Sequence, residues 1–222
     1  MGNRGSSSHA GGGGGAAGRI GRDQLAPWRD NQTALQQIMR DTGMTLAEAQ
    51  LAQATQIRYY GDDYDAFTEG TLPRETEIIS EALMRMPYYN GVIFRGISMP
   101  DREADRVFLD VWKPGTTQIF TDKLGNGSAV VQSFSSRERV AESFGGWDYV
   151  GRGQTSIKFI MDDNKTAPGV QHISKFGARE AEVLMPSWQA VYVDRVVQVP
   201  TSSGGRRFEI HLKDRGRRVK KK

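Results

Sequence analysis

Apolar positions recur at helical spacing in the first part of the chain and at strand spacing in the rest. Thr45-Leu46-Ala47-Glu48 is a capping-box pattern. Behind it Leu46, Ala49, Leu51, Ala52 and Ala54 run on toward Ile57, which predicts a helix broken by Gly61-Asp62-Asp63. Leu72-Pro73 opens a second helix with Ile78, Ile79, Ala82, Leu83 and Met86 on one face, and Pro87 ends it. From residue 92 short strands are expected at Val92–Arg95, Ile119–Thr121, Ala129–Ser133, Ser156–Met161, Glu182–Met185, Ala190–Val199 and Phe208–Leu212. Short helices interrupt them at Arg102–Trp112 and Arg137–Phe144. Helices first and mostly local strands afterwards argue for an α+β domain with an antiparallel or mixed sheet.

Composition changes this picture mainly at the ends. The 222 residues suffice for one sizeable core with appendages. The low hydrophobic fraction, 37%, falls largely on residues 1–29, a Gly/Ser-rich stretch with five consecutive glycines at 11–15. Such a stretch buries too little apolar surface to offset its ordering entropy and reads as a disordered leader. The formal charge of +4 gathers at the other end, where seven of the ten residues 213–222 are basic. This basic tail, 214–222, reads as a solvated terminus; a nucleic-acid tether is the alternative, without the aromatic interleaving that base stacking requires. No run approaches a membrane span, so no membrane partner is expected. The absence of cysteine excludes disulfides, thiolate metal sites and a cysteine nucleophile. His9, His172 and His211 are too far apart in sequence to suggest a metal site, and none is expected.

Three apolar runs carry polar residues that a buried strand does not need. Val92-Ile93-Phe94-Arg95-Gly96 ends in a guanidinium, which there requires an anion: a phosphate, or an internal carboxylate such as Glu182. In Gln132-Ser133-Phe134-Ser135-Ser136, the serines 133 and 135 share a strand face. No histidine lies near them and no Gly-x-Ser-x-Gly elbow is present, so neither reads as a nucleophile. In Glu180-Ala181-Glu182-Val183-Leu184-Met185-Pro186 an extended backbone would set both carboxylates on one face, about 7 Å apart. Two like charges at the mouth of an apolar strand are unfavourable unless something binds there; the competing reading is a solvated strand end with Arg179 paired to one of them. No Gly-x-Gly-x-x-Gly follows a strand, so a Rossmann-type dinucleotide site is absent.

In order and flanks these pieces resemble the Arg-Ser-Glu class of mono-ADP-ribosyltransferases, found among bacterial toxins and phage proteins; the match spans roughly residues 43 to 213. It departs in having Phe134 where the family usually has threonine, and in ending its strand at Met185-Pro186; both acids and the arginine remain. The resemblance implies a helical lobe (30–88) packed on a β-sandwich core (89–213) of two facing, mainly antiparallel sheets, with NAD in the cleft between them. NAD is then a substrate, and no metal is implied. Arg95 would hold its phosphates, with Gly96 allowing close approach. Ser133 would orient Glu182 against the nicotinamide ribose, and Ser135 would help form the cleft. Glu182 would be the catalytic acid residue that stabilises charge on the sugar. Glu180 would hold the acceptor, glutamate here going with arginine and glutamine with other acceptors. Phe176, in the loop before the glutamates, would grip the target protein; its alternative is the core.

The implied activity is transfer of ADP-ribose to an arginine of a target protein, with nicotinamide released, in the cytoplasm of a target or host cell reached by secretion or phage injection. Two rivals remain open, an NAD glycohydrolase and a weakly active structural module of a phage head or similar assembly. Tyr59, Tyr60 and Tyr64 stand where they would contact the adenine side or simply pack the lobe. Trp147, after Gly145-Gly146, and Tyr149 stand where a loop would cover the nicotinamide, a packed tryptophan being the alternative.

Overall fold

The computed structural model describes residues 32–59, 61, 63–121, 128–170 and 177–217. The expected leader, most of the basic tail, Tyr60, His9, His172 and Phe176 lie outside the described residues.

Four helices come first: α1 (Gln32–Thr42), α2 (Leu46–Tyr59), α3 (Tyr64–Thr68) and α4 (Pro73–Arg85). The capping box forms as the sequence predicts. The Glu48 carboxylate accepts from the Thr45 backbone N–H at 2.9 Å, and the Glu48 N–H reaches the Thr45 hydroxyl at 3.4 Å. Pro73 opens α4, where its missing N–H costs nothing, and Met86 leaves the helix with ψ 150°. That conformation follows from Pro87, whose ring disfavours helical geometry in the residue before it. Ala34, Leu35 and Ile38 of α1 meet Ile79, Ala82 and Leu83 of α4 in one core, which also takes in Val131, Val170 and Leu184 from the sheet side.

The strands are β1 (Ile93–Pro100), β2 (Thr117–Ile119), β3 (Gln132–Ser135), β4 (Gln154–Met161), β5 (Glu182–Met185), β6 (Gln189–Val199) and β7 (Arg206–Arg217). Among them lie α5 (Asp101–Ala104), which passes into a π-type turn over Asp105–Leu109, α6 (Glu138–Phe144) and α7 (Gly177–Glu180). The strand order is β2-β6-β7-β4-β1-β3-β5, antiparallel except for the β4–β7 pair. The ladder is continuous, where the expectation was of two facing sheets. Its narrowest junction is β1–β3, where Phe94 and Ser135 are the one paired position. The sheet nevertheless encloses a core. Phe134, Val183 and Met185 of β3 and β5 share a cluster with Phe159 of β4, Val193 of β6 and Ile210 of β7. Phe120, Trp112 and Phe108 fill its centre with edge-on and tilted ring contacts.

The last strand continues through Asp214 to Arg217, taking in the first four residues of the expected tail, because Asp214 is buried and bonded to the 163–165 turn. Trp147 takes the packed alternative. It is buried against the Lys158 ammonium, 4.5 Å from the ring centroid, and against Arg207. Tyr149, by contrast, is 80% exposed.

Candidate active site

β5 alternates so that Val183 and Met185 enter the sheet core while Glu182 and Leu184 turn to the side of the helical lobe. Both edges of β5 are covered. β3 pairs along one edge, with Ser135 opposite Glu182 and Ser133 opposite Leu184. Residues 168–170 cover the other, through Val170 N–H to Glu182 C=O and Leu184 N–H to Pro168 C=O. Glu182 is thus fixed by its backbone on both sides and is 2% exposed. A carboxylate so buried requires donors, and the Ser133 hydroxyl supplies one at 2.7 Å.

Ser133 also meets the arginine. Its main-chain carbonyl accepts from Arg95 Nη1 at 2.6 Å, so this one residue bonds the guanidinium through its backbone and Glu182 through its side chain. Arg95 comes from β1, the strand next to β3. Burial lowers its pKa from the usual guanidinium value, while Tyr64 and Tyr59 act the other way. The internal salt bridge weighed for it does not form: among the described residues Arg95 has no carboxylate within 4.0 Å.

Tyr59 completes this group from the lobe. Its ring packs edge-on against Tyr64 and Phe67. Burial, then Tyr64 and Glu182, push its phenol pKa well up, and Arg95 pulls it down. The hydroxyl is therefore within electrostatic reach of both Glu182 and Arg95. The sequence marks this tyrosine as a candidate, but nothing in its spacing shows that it comes near Glu182 and Arg95.

Glu180 departs from expectation. It ends the short helix α7 instead of preceding Glu182 on one strand, because Ala181 turns the chain with φ 44°. A left-handed conformation at a non-glycine residue costs about 1–2 kcal/mol and needs surroundings that impose it. Here β3 imposes it: Ser135 Oγ donates to the Glu180 carbonyl, and Ser136 donates to the Ala181 carbonyl through N–H (3.0 Å) and Oγ (3.2 Å). The half-buried Glu180 carboxyl is pushed up to about 7, first by burial and then by Glu182. Ser135 is buried and committed to this turn, and sequence reasoning did not single out Ser136.

Gly96 has a packing reason for being glycine. An added Cβ would lie 1.7 Å from the Ala141 carbonyl oxygen, so the close approach of α6 to β1 requires glycine here. Among the described residues no group of three or more His, Asp or Glu is arranged to hold a metal ion, and no helix is long and apolar enough to cross a membrane.

No family model matches the sequence, and no curated protein matches it. Solved structures do. Vis toxin, an ADP-ribosyltransferase from Vibrio splendidus, aligns with a TM-score of 0.53 at 14% identity, over 89% of this chain and 87% of that one. The Vis complex with agmatine gives 0.52 at 14% identity over the same shares. The type III effector XopAI from Xanthomonas axonopodis pv. citri gives 0.55 at 14% identity, over 86% and 78%. With the order of motif-bearing strands described above, these likenesses show that the polypeptide has the ADP-ribosyltransferase fold.

Proposed function

We propose that this chain is an NAD-dependent mono-ADP-ribosyltransferase that modifies an arginine side chain of a target protein. The observation that carries the reading is the double use of Ser133, which joins a buried glutamate to a cation that has no carboxylate partner among the described residues. A partly buried guanidinium in that condition suits a diphosphate, whose oxygens it matches in geometry and charge. Ser133 fixes the Glu182 carboxylate so that it accepts from a ribose hydroxyl and opposes positive charge at C1′ as the bond to nicotinamide breaks. Nicotinamide leaves with the bonding electrons.

Glu180 serves the other substrate. A protonated guanidinium is a poor nucleophile. Glu180 orients it, takes one of its protons as its nitrogen bonds to C1′, and then releases that proton to solvent, so charge and atoms balance. A carboxyl near pH 7 suits such a base, since half of it is ready at neutrality. That Vis has been captured with agmatine, a small guanidinium, supports an arginine-like acceptor here. Action inside a target or host cell belongs to the same proposal.

The test is nicotinamide release from NAD with and without agmatine, for the wild type and Glu180→Gln. Agmatine should accelerate release and yield an adduct whose rate rises with pH through about 7. Glu180→Gln should lose the adduct and keep some hydrolysis. Release that ignores agmatine and the substitution would mean an NAD glycohydrolase. No release at all would favour a structural module.

A further inference from the structure

We infer that Ser135 and Ser136 form a main-chain clamp that positions Glu180, and that the clamp sets how much ADP-ribose goes to a guanidinium rather than to water. This rests on the reading that Glu180 receives the acceptor. Ser136 lies outside the Ser-x-Ser pattern, and its hydroxyl has no part in the chemistry assigned to Arg95, Ser133 and Glu182.

A helix of four residues, as α7 is, cannot satisfy the carbonyls at its own C-terminus. The end of β3 does so instead. The Glu180 carbonyl accepts from Ser135 Oγ, and the Ala181 carbonyl accepts from both the N–H and the hydroxyl of Ser136. The Ser135 oxygen itself accepts from the Arg137 N–H at 3.0 Å, which orients the hydroxyl proton toward Glu180. Two consecutive serines thus grip two consecutive carbonyls across 45 residues of sequence separation.

Those two carbonyls flank the φ of 44° at Ala181, and a non-glycine residue keeps such a conformation only where its surroundings over-determine it. The same turn separates the fates of the two acids, Glu182 entering the buried strand while Glu180 stays half-exposed above it. With the clamp loosened, Ala181 relaxes toward ordinary backbone angles and Glu180 swings with it. Glu182 and Ser133, held by their own strand pairing, stay in place. The predicted defect is selective: cleavage of NAD continues and capture of the acceptor fails. Ser135 and Ser136 are positioning residues.

The experiment measures nicotinamide release and agmatine adduct on the same full-length samples of wild type, Ser136→Ala, Ser136→Thr and Ser136→Ala/Ala181→Gly. Ser136→Ala should keep acceptor-free release within about twofold and an unchanged KM for NAD, while the adduct-to-release ratio falls about tenfold. Threonine at 136 keeps the hydroxyl and should restore the ratio. Glycine at 181 should restore it too, since glycine holds positive φ without the clamp. An unchanged ratio in folded Ser136→Ala, or no recovery in either rescue, overturns the clamp and leaves the transferase reading intact. A wild type that releases nicotinamide but forms no adduct overturns the arginine reading, and the clamp's role with it. Should Ser136→Ala fail to fold, the ratio is read in Ser135→Ala, where the same fall supports the clamp and an unchanged ratio overturns it.

Discussion

Two cations on neighbouring strands receive opposite treatment. Lys158 of β4, opposite Gly96 in the β1–β4 ladder, is 4% exposed at its side chain and surrounded by acid. Glu138 and Glu142 of α6 reach its ammonium at 2.6 and 3.0 Å, and Glu209 of β7 at 3.2 Å. Burial works against its charge, and the three carboxylates together outweigh it, so its pKa rises. Arg95, one residue before Gly96, receives one backbone carbonyl. Its pKa is lowered, chiefly by burial. The first cation is neutralised within the fold, whereas among the described residues the second meets no carboxylate within 4.0 Å. A buried charge by itself therefore says little; its partners decide whether it is a brace or a binding group.

The contrast breaks most severely through Gly96→Ala. The new Cβ would strike the Ala141 carbonyl, forcing α6, and with it Glu138 and Glu142, off Lys158. We expect a loss of about 4 kcal/mol or more in denaturant unfolding, or no folded protein. Lys158→Met leaves three carboxylates facing each other and should cost about 3 kcal/mol of stability, with the KM for NAD unchanged. Arg95→Met should do the reverse. Its melting temperature should stay near the wild-type value, while NAD binding by calorimetry weakens about a hundredfold, roughly 2.7 kcal/mol.

The smallest effect concerns Glu180. Its folded pKa of about 7 lies above the ordinary carboxyl value of 4.5, so between these the native state binds more protons and stability falls as pH rises. The loss is complete above about 7 and absent below about 4.5. Because the carboxyl is only half-buried, solvent screens the effect. Glu180→Gln should melt roughly 1–2 °C above wild type at pH 8 and level with it at pH 4.

Much of the scaffold is legible before any coordinates. Thr45 and Glu48 announce α2, Pro73 and Pro87 bracket α4, and the run Val183-Leu184-Met185 can only be a strand buried on both faces. α1 is not announced, because Ala34, Leu35 and Ile38 are too few among polar neighbours to stand out; the rest of the lobe makes it a helix. In the site, the types and order of Arg95, Ser133, Glu180 and Glu182 are legible, and so is the bond of Ser133 to Glu182, whereas the main-chain bond of Ser133 to Arg95 is not. The turn at Ala181 is not, since no local propensity marks an alanine for positive φ. Its cause lies 45 residues away, at Ser135 and Ser136. The contact of Gly96 with α6 is hidden for a related reason: glycine signals close approach but not what approaches.

The hold on residue 180 is a hold on its carbonyl, and the two serines are indifferent to the side chain it carries. A single codon change from glutamate to glutamine would leave the turn, Glu182 and the strand pairing as they are. On the proposed reading, in which residue 180 receives the acceptor, a lineage built on this frame can explore a new class of acceptor in one mutational step, without passing through an unfolded intermediate.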